Sequence, residues 1–136
     1  MSHPVRAARR RIQAEWQPVV HGVDDCADRV AEPWDTSRTT NPDRVVAPLG
    51  RSLEEANLLE ELAALLADVV EAADCELRAS PVPAPPYVTV TSRGPVLRAT
   101  VDPGRLVIRL DAFEVVRDPV PAYRRLDGVE VDVSLE

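Results

Sequence analysis

SLEEANLLEELAALLADVVEAADCEL, residues 52–77, is the stretch whose reading decides the fold. Ser52 and Glu55 have the S-x-x-E spacing of a capping box, in which each side chain satisfies an otherwise orphaned amide at a helix start. On a helical wheel, Leu58, Leu59, Leu62, Leu65, Leu66, Val69 and Ala73 share one face. Glu54, Glu60, Glu61, Asp68, Glu71 and Asp74 share the other. The pattern predicts an amphipathic helix from Ser52 to Leu77 that must bury its leucine stripe against something.

What it buries that stripe against is written downstream. Ser80-Pro81-Val82-Pro83-Ala84-Pro85-Pro86 reads as a stiff, extended polyproline-type spacer. From Tyr87 onward the apolar period changes to two. Val88 and Val90, then Leu97, Ala99 and Val101, then Leu106, Ile108 and Leu110, and finally Val129, Val131, Val133 and Leu135 alternate with polar residues. Each run predicts a half-buried strand with one apolar face. Arg93-Gly94 and Asp102-Pro103-Gly104-Arg105 are turn chemistry, so the first three strands should form an antiparallel meander. The alternation slips at Asp111-Ala112-Phe113, through a bulge or a short helical turn, and Pro119 and Pro121 break the chain before the last strand.

Upstream, residues 4–32 carry a second helical stripe, Ile12, Trp16, Val19, Val23, Cys26 and Val30. Ser2 suits its cap and Pro4 its first turn. Pro18 interrupts the pattern but not its phase, which predicts one kinked helix or two collinear ones. Glu32 to Gly50 reads as a long connection, marked by Pro33, Asn41-Pro42, Pro48 and Gly50. The expected architecture is therefore α+β: a small antiparallel meander of about four strands packed on an amphipathic helix, with an additional N-terminal amphipathic helix. Residues 1–50 form the N-terminal helix and loop, and residues 51–136 the central helix and sheet, as one domain overall. Two long amphipathic helices over one small sheet suggest apolar surface to spare, and hence a homodimer formed through the helices.

Composition narrows the function class. The net charge is −7 and all 16 basic residues are arginine. A lysine-free, acidic chain matches the proteins of salt-loving archaea, although abundant Ala, Val, Pro and Arg also fit a GC-rich genome. Cys26 and Cys75 are too few for a disulfide scaffold. No apolar run approaches membrane-spanning length, and no apolar segment follows the basic start as in a secretory signal. The expected location is cytoplasmic, with no membrane partner.

Candidate chemistry is sparse. His21, Asp24, Asp25 and Cys26 are metal-ligand types, and His21 and Asp25 stand four apart on a helix. Cys26 projects toward the other face, however, and a solvated acidic face is the simpler reading. Cys75 sits among acids that raise a thiol pKa. Gly50-Arg51-Ser52 has a lone glycine before a helix start whose dipole Glu54 and Glu55 already occupy. The basic run Arg6, Arg9, Arg10 and Arg11 has the residue type that contacts phosphate, and is the candidate nucleic-acid contact. On a helix those four spread around the circumference, and the acidic central helix is the competing counterpart. Trp34, Arg98 and Arg109 form a candidate partner surface: Trp34 as a loop aromatic, the two arginines on the open sheet face with Thr89, Thr91 and Thr100. Packing against the sheet is the competing reading for Trp34, and a solvated face with cross-strand pairs to acids such as Asp111 is the simpler one for the arginines.

The leading expectation is a small, soluble, non-enzymatic interaction or regulatory protein without cofactors, with itself or another protein as partner. The alternative is a nucleic-acid-associated protein using the N-terminal arginines. A third reading is a metal protein or enzyme using His21, Asp25 and Cys26.

Overall fold

The structure is a computed structural model describing residues 3–102 and 104–136. The proposed cap Ser2 and the turn residue Pro103 lie outside them. The N-terminal stripe forms two helices, α1 (His3–Glu15) and α2 (Gln17–Ala31), separated at Trp16. Pro18 falls in the first turn of α2, where its missing N–H is an orphan anyway. It therefore breaks no helical hydrogen bond.

The stretch 52–77 is not one helix. It is divided between α3 (Val46–Glu55) and α4 (Leu58–Ala72). Asn57 separates them with a left-handed backbone at φ 59, a conformation asparagine tolerates better than most residues. The reason lies in phase. Leu53 is fully buried in α3 and Leu58 is buried in α4. Five residues turn a continuous helix by roughly 140°, so a single helix cannot point both inward. Ser52 accordingly lies inside α3 and caps nothing. Asp74, also left-handed, ends α4, and Cys75 N–H donates back to Val70 O at 3.1 Å, a C-terminal closure of the Schellman kind.

Two further expectations change. The 32–50 connection holds a short strand, β1 (Arg38–Thr39), a 3₁₀ turn (Pro42–Arg44) and the beginning of α3. Pro48 and Gly50 lie within that helix. The proline-rich segment is a folded turn rather than an extended spacer: Ala84 N–H donates to Val82 O at 2.8 Å and Tyr87 N–H to Ala84 O at 3.0 Å.

The meander is present as β2 (Val88–Val90), β3 (Pro95–Thr100), β4 (Arg105–Val116) and β5 (Ala122–Leu135). With β1 it makes a five-stranded antiparallel sheet in the order β1-β5-β4-β3-β2. β5 begins at Ala122, well before the apolar alternation at Val129. The register shift between Asp111 and Phe113 is a large bulge carried by β5, whose residues 126–129 stand against Ala112 alone. The Arg93 carbonyl accepts from both Ala112 N–H (2.7 Å) and Phe113 N–H (3.0 Å), so the β2–β3 turn closes over it. That closeness demands glycine at 94: a Cβ there would lie 2.0 Å from Leu110 O, at φ +145.

The inward residues Leu97, Leu106, Ile108, Leu110 and Phe113 share one buried cluster with stripes from all four helices. Both helical stripes are thus buried within the chain. Among the described residues the exposed large hydrophobics are Val82 and Val120, both outside the helical stripes.

Candidate partner-binding face

The alternation that sends Leu106, Ile108 and Leu110 into the core sends Arg105, Val107, Arg109 and Asp111 to the opposite face. Register completes that face: Arg109 stands opposite Val96 and Asp132, Val107 opposite Arg98 and Ser134, Thr100 opposite Arg105. Val96 and Val107 are each only 5% exposed, yet neither belongs to the helix-packed cluster. Each valine has an arginine set directly across from it, and long aliphatic stems on such residues cover apolar neighbours.

Charge divides across this face. On the β5 side, Arg109 Nη2 donates to Asp132 Oδ2 at 3.0 Å, and Arg9 of α1 reaches the same carboxylate at 3.9 Å. Asp111 is half-buried there; burial pushes its carboxyl upward, with the charges of Arg109 and Arg93 opposing. Its Oδ1 is buried with no hydrogen-bond partner among the described residues. Towards β2 the balance reverses. Leu77, Arg78, Pro86, Tyr87, Arg98, Thr100 and Arg105 border a cleft of about 190 Å³. An adjoining open bay of about 460 Å³ adds Asp102 and Glu136. Gly104 lets Glu136 approach: a Cβ there would meet Glu136 O at 2.1 Å, and Arg105 and Glu136 exchange backbone hydrogen bonds of 2.9 and 2.8 Å. Arg78, Arg98 and Arg105 make no ion pair among the described residues.

The residues singled out from sequence are dispersed. Of the N-terminal arginines, Arg11 clasps Asp68 of α4 at 2.8 and 3.1 Å, and Trp16 Nε1 donates to the same carboxylate at 2.7 Å. Those contacts, Arg11 foremost, hold the Asp68 carboxyl below the ordinary range. Arg9 is drawn to Asp132, while Arg6 and Arg10 remain exposed on α1. Trp34 is not an exposed aromatic. It is 7% exposed, its ring centroid is 5.7 Å from that of Phe113, and its indole N–H donates to Arg44 O at 3.3 Å. Arg109 is engaged by Asp132, which leaves Arg98 as the member of that trio with an uncommitted guanidinium. His21 and Asp25 are exposed on α2 whereas Cys26 is buried, so the three do not converge; among the described residues no group of three His, Cys, Asp or Glu could hold a metal ion. The Cys75 thiol is pushed up by burial and then by the charge of Asp74.

Arg78 and Arg125 are among the arginines not singled out from sequence. Arg78 lies in a loop with no periodic signal. Arg125 is the most engaged cation among the described residues: it pairs with Asp24 and Asp28 of α2 and donates to the carbonyls of Ala112, Leu126 and Gly128. Its guanidinium lies 5.9 Å from the Phe113 ring centroid, within cation–π range.

No helix among the described residues is long and apolar enough to cross a membrane. A family model described as "Domain of unknown function (DUF7988)" matches residues 6–136. No curated protein and no solved structure matches the chain.

Proposed function

We propose that this chain, which belongs to the DUF7988 family, is a small non-enzymatic interaction or regulatory protein that binds its partner through the open face of the sheet. One observation carries the reading. The face opposite the helices ends in a cleft where Arg78, Arg98 and Arg105 carry charge committed to no ion pair among the described residues. Other arginines, among them Arg6, Arg10, Arg93 and Arg117, also make no ion pair among the described residues, but Arg78, Arg98 and Arg105 border one cleft. Arg11, Arg109, Arg124 and Arg125, by contrast, are each taken up by a carboxylate. Guanidiniums that make no internal ion pair remain available for planar, bidentate recognition of an anion. A split of charge across one face also disfavours wrong partners and fixes register.

The alternative retains one specific support: Arg6 and Arg10 are exposed on α1 and make no ion pair among the described residues. Photo-crosslinking amino acids placed in living cells at Thr89, at Arg98 and, separately, at Arg10 distinguish the two. Protein adducts concentrated at Thr89 and Arg98 are expected. Adducts confined to Arg10 and containing nucleic acid would replace the proposal with the alternative.

A further inference from the structure

Building on that reading of the open face, we propose that the corner cleft at Arg78, Arg98 and Arg105 is a phosphomonoester site for a small phosphorylated ligand. The three arginines come from three separate segments: the loop after α4, β3 and β4. Bringing like charges around one cleft costs Coulomb energy, which an anion between them reverses. A carboxylate supplies a single negative charge. A phosphomonoester supplies about −1.5 to −2 at neutral pH and three strong acceptor oxygens, which suits several guanidinium forks at once. Thr100 and Tyr87 also line the cleft and bring hydroxyl-bearing side chains to it.

The adjoining bay limits what the phosphoryl group is attached to. Asp102 and Glu136 border that bay beside Arg78 and Arg105. They are acceptors for a ligand's hydroxyl or amino groups, and they repel a second phosphate. A polynucleotide backbone would carry further phosphates past these carboxylates. The arrangement therefore favours one phosphoryl group on a short polar stem over a polymer.

Full-length protein is titrated at constant chloride with glucose 6-phosphate, inorganic phosphate and glucose, followed by calorimetry and amide shift mapping. Saturable binding of glucose 6-phosphate is expected, with shifts around residues 78, 87 and 98–105, and none with glucose. Arg98→Gln and Arg78→Gln should each weaken binding about tenfold or more, and Arg6→Gln should leave it unchanged. Arg78 is exposed in a loop, so its variant remains informative even if Arg98→Gln misfolds. The assignment is overturned by absence of saturable binding, by affinity that survives both substitutions, or by a single-stranded oligonucleotide that binds the cleft more tightly than the monoester. If phosphate fails while crosslinks still map to Thr89 and Arg98, only the ligand class falls. If both fail, the face itself is not the binding surface.

Discussion

Strand β4 has an arginine environment at each end, and the two are opposites. At its Phe113 end, Arg125 is nearly enclosed, with 14% of its side chain exposed. Two carboxylates, several carbonyls and an aromatic ring surround it. At its Arg105 end, three arginines border a cleft and none has an ion-pair partner among the described residues. Burying a charge is tolerated only when it is paired and hydrogen-bonded, so the first site is a structural tie between α2 and the bulge. The second leaves its charge available to something outside the chain. Identical side chains thus divide into ion-paired and unpaired according to what the fold places beside them.

Substitutions can break or sharpen this contrast. The largest loss is expected for Phe113→Ala, which empties a fully buried site beneath Arg125 and Trp34; chemical denaturation should report about 3–5 kcal/mol. Arg125→Gln should cost about 2–3 kcal/mol, because it strands Asp24 and the bulge carbonyls. Arg98→Gln, by contrast, should change stability by no more than about 0.5 kcal/mol while weakening the proposed binding at the cleft about tenfold or more. Equal losses for the Arg98 and Arg125 variants in the same denaturation series would collapse the distinction.

Smaller effects follow from two carboxyls with opposite shifts. Asp68 is depressed by Arg11 and Trp16, so its contribution is present above the ordinary aspartate range and is lost as pH falls through its folded value. Asp68→Asn should flatten the acid limb of a stability–pH curve. Asp111 is raised by burial, so its contribution is present at low pH and is lost as pH rises through its folded value. Asp111→Asn should accordingly raise Tm slightly at neutral pH and leave it nearly unchanged in acid. A fall in Tm at neutral pH would show that the ionised carboxylate has a stabilising role on the open face.

Periodicity made much of this legible. The three-four stripes at Ile12–Val30 and Leu58–Val69 and the alternation from Val88 to Leu135 each depend only on which residues share a local face. Helices on one side of an antiparallel meander, and even the slip at Ala112, follow from that. The break at Asn57 was readable in principle: Leu53 and Leu58 are out of phase, a conflict that the capping-box motif at Ser52 masked. The short strand Arg38–Thr39 carries no pattern of its own and exists because β5 offers it an edge.

The fates of the arginines were not legible in the same way. Sequence determined that many arginines would stand on helical and strand surfaces, and that the helices and sheet would bury one another. Tertiary structure decided that Arg11 meets Asp68, that Arg125 meets Asp24 across the α2–β5 packing, and that Arg78, Arg98 and Arg105 meet at one cleft. Secondary structure is set by neighbours a few positions away, whereas an ion pair depends on which distant segments the packed core brings within a few ångströms.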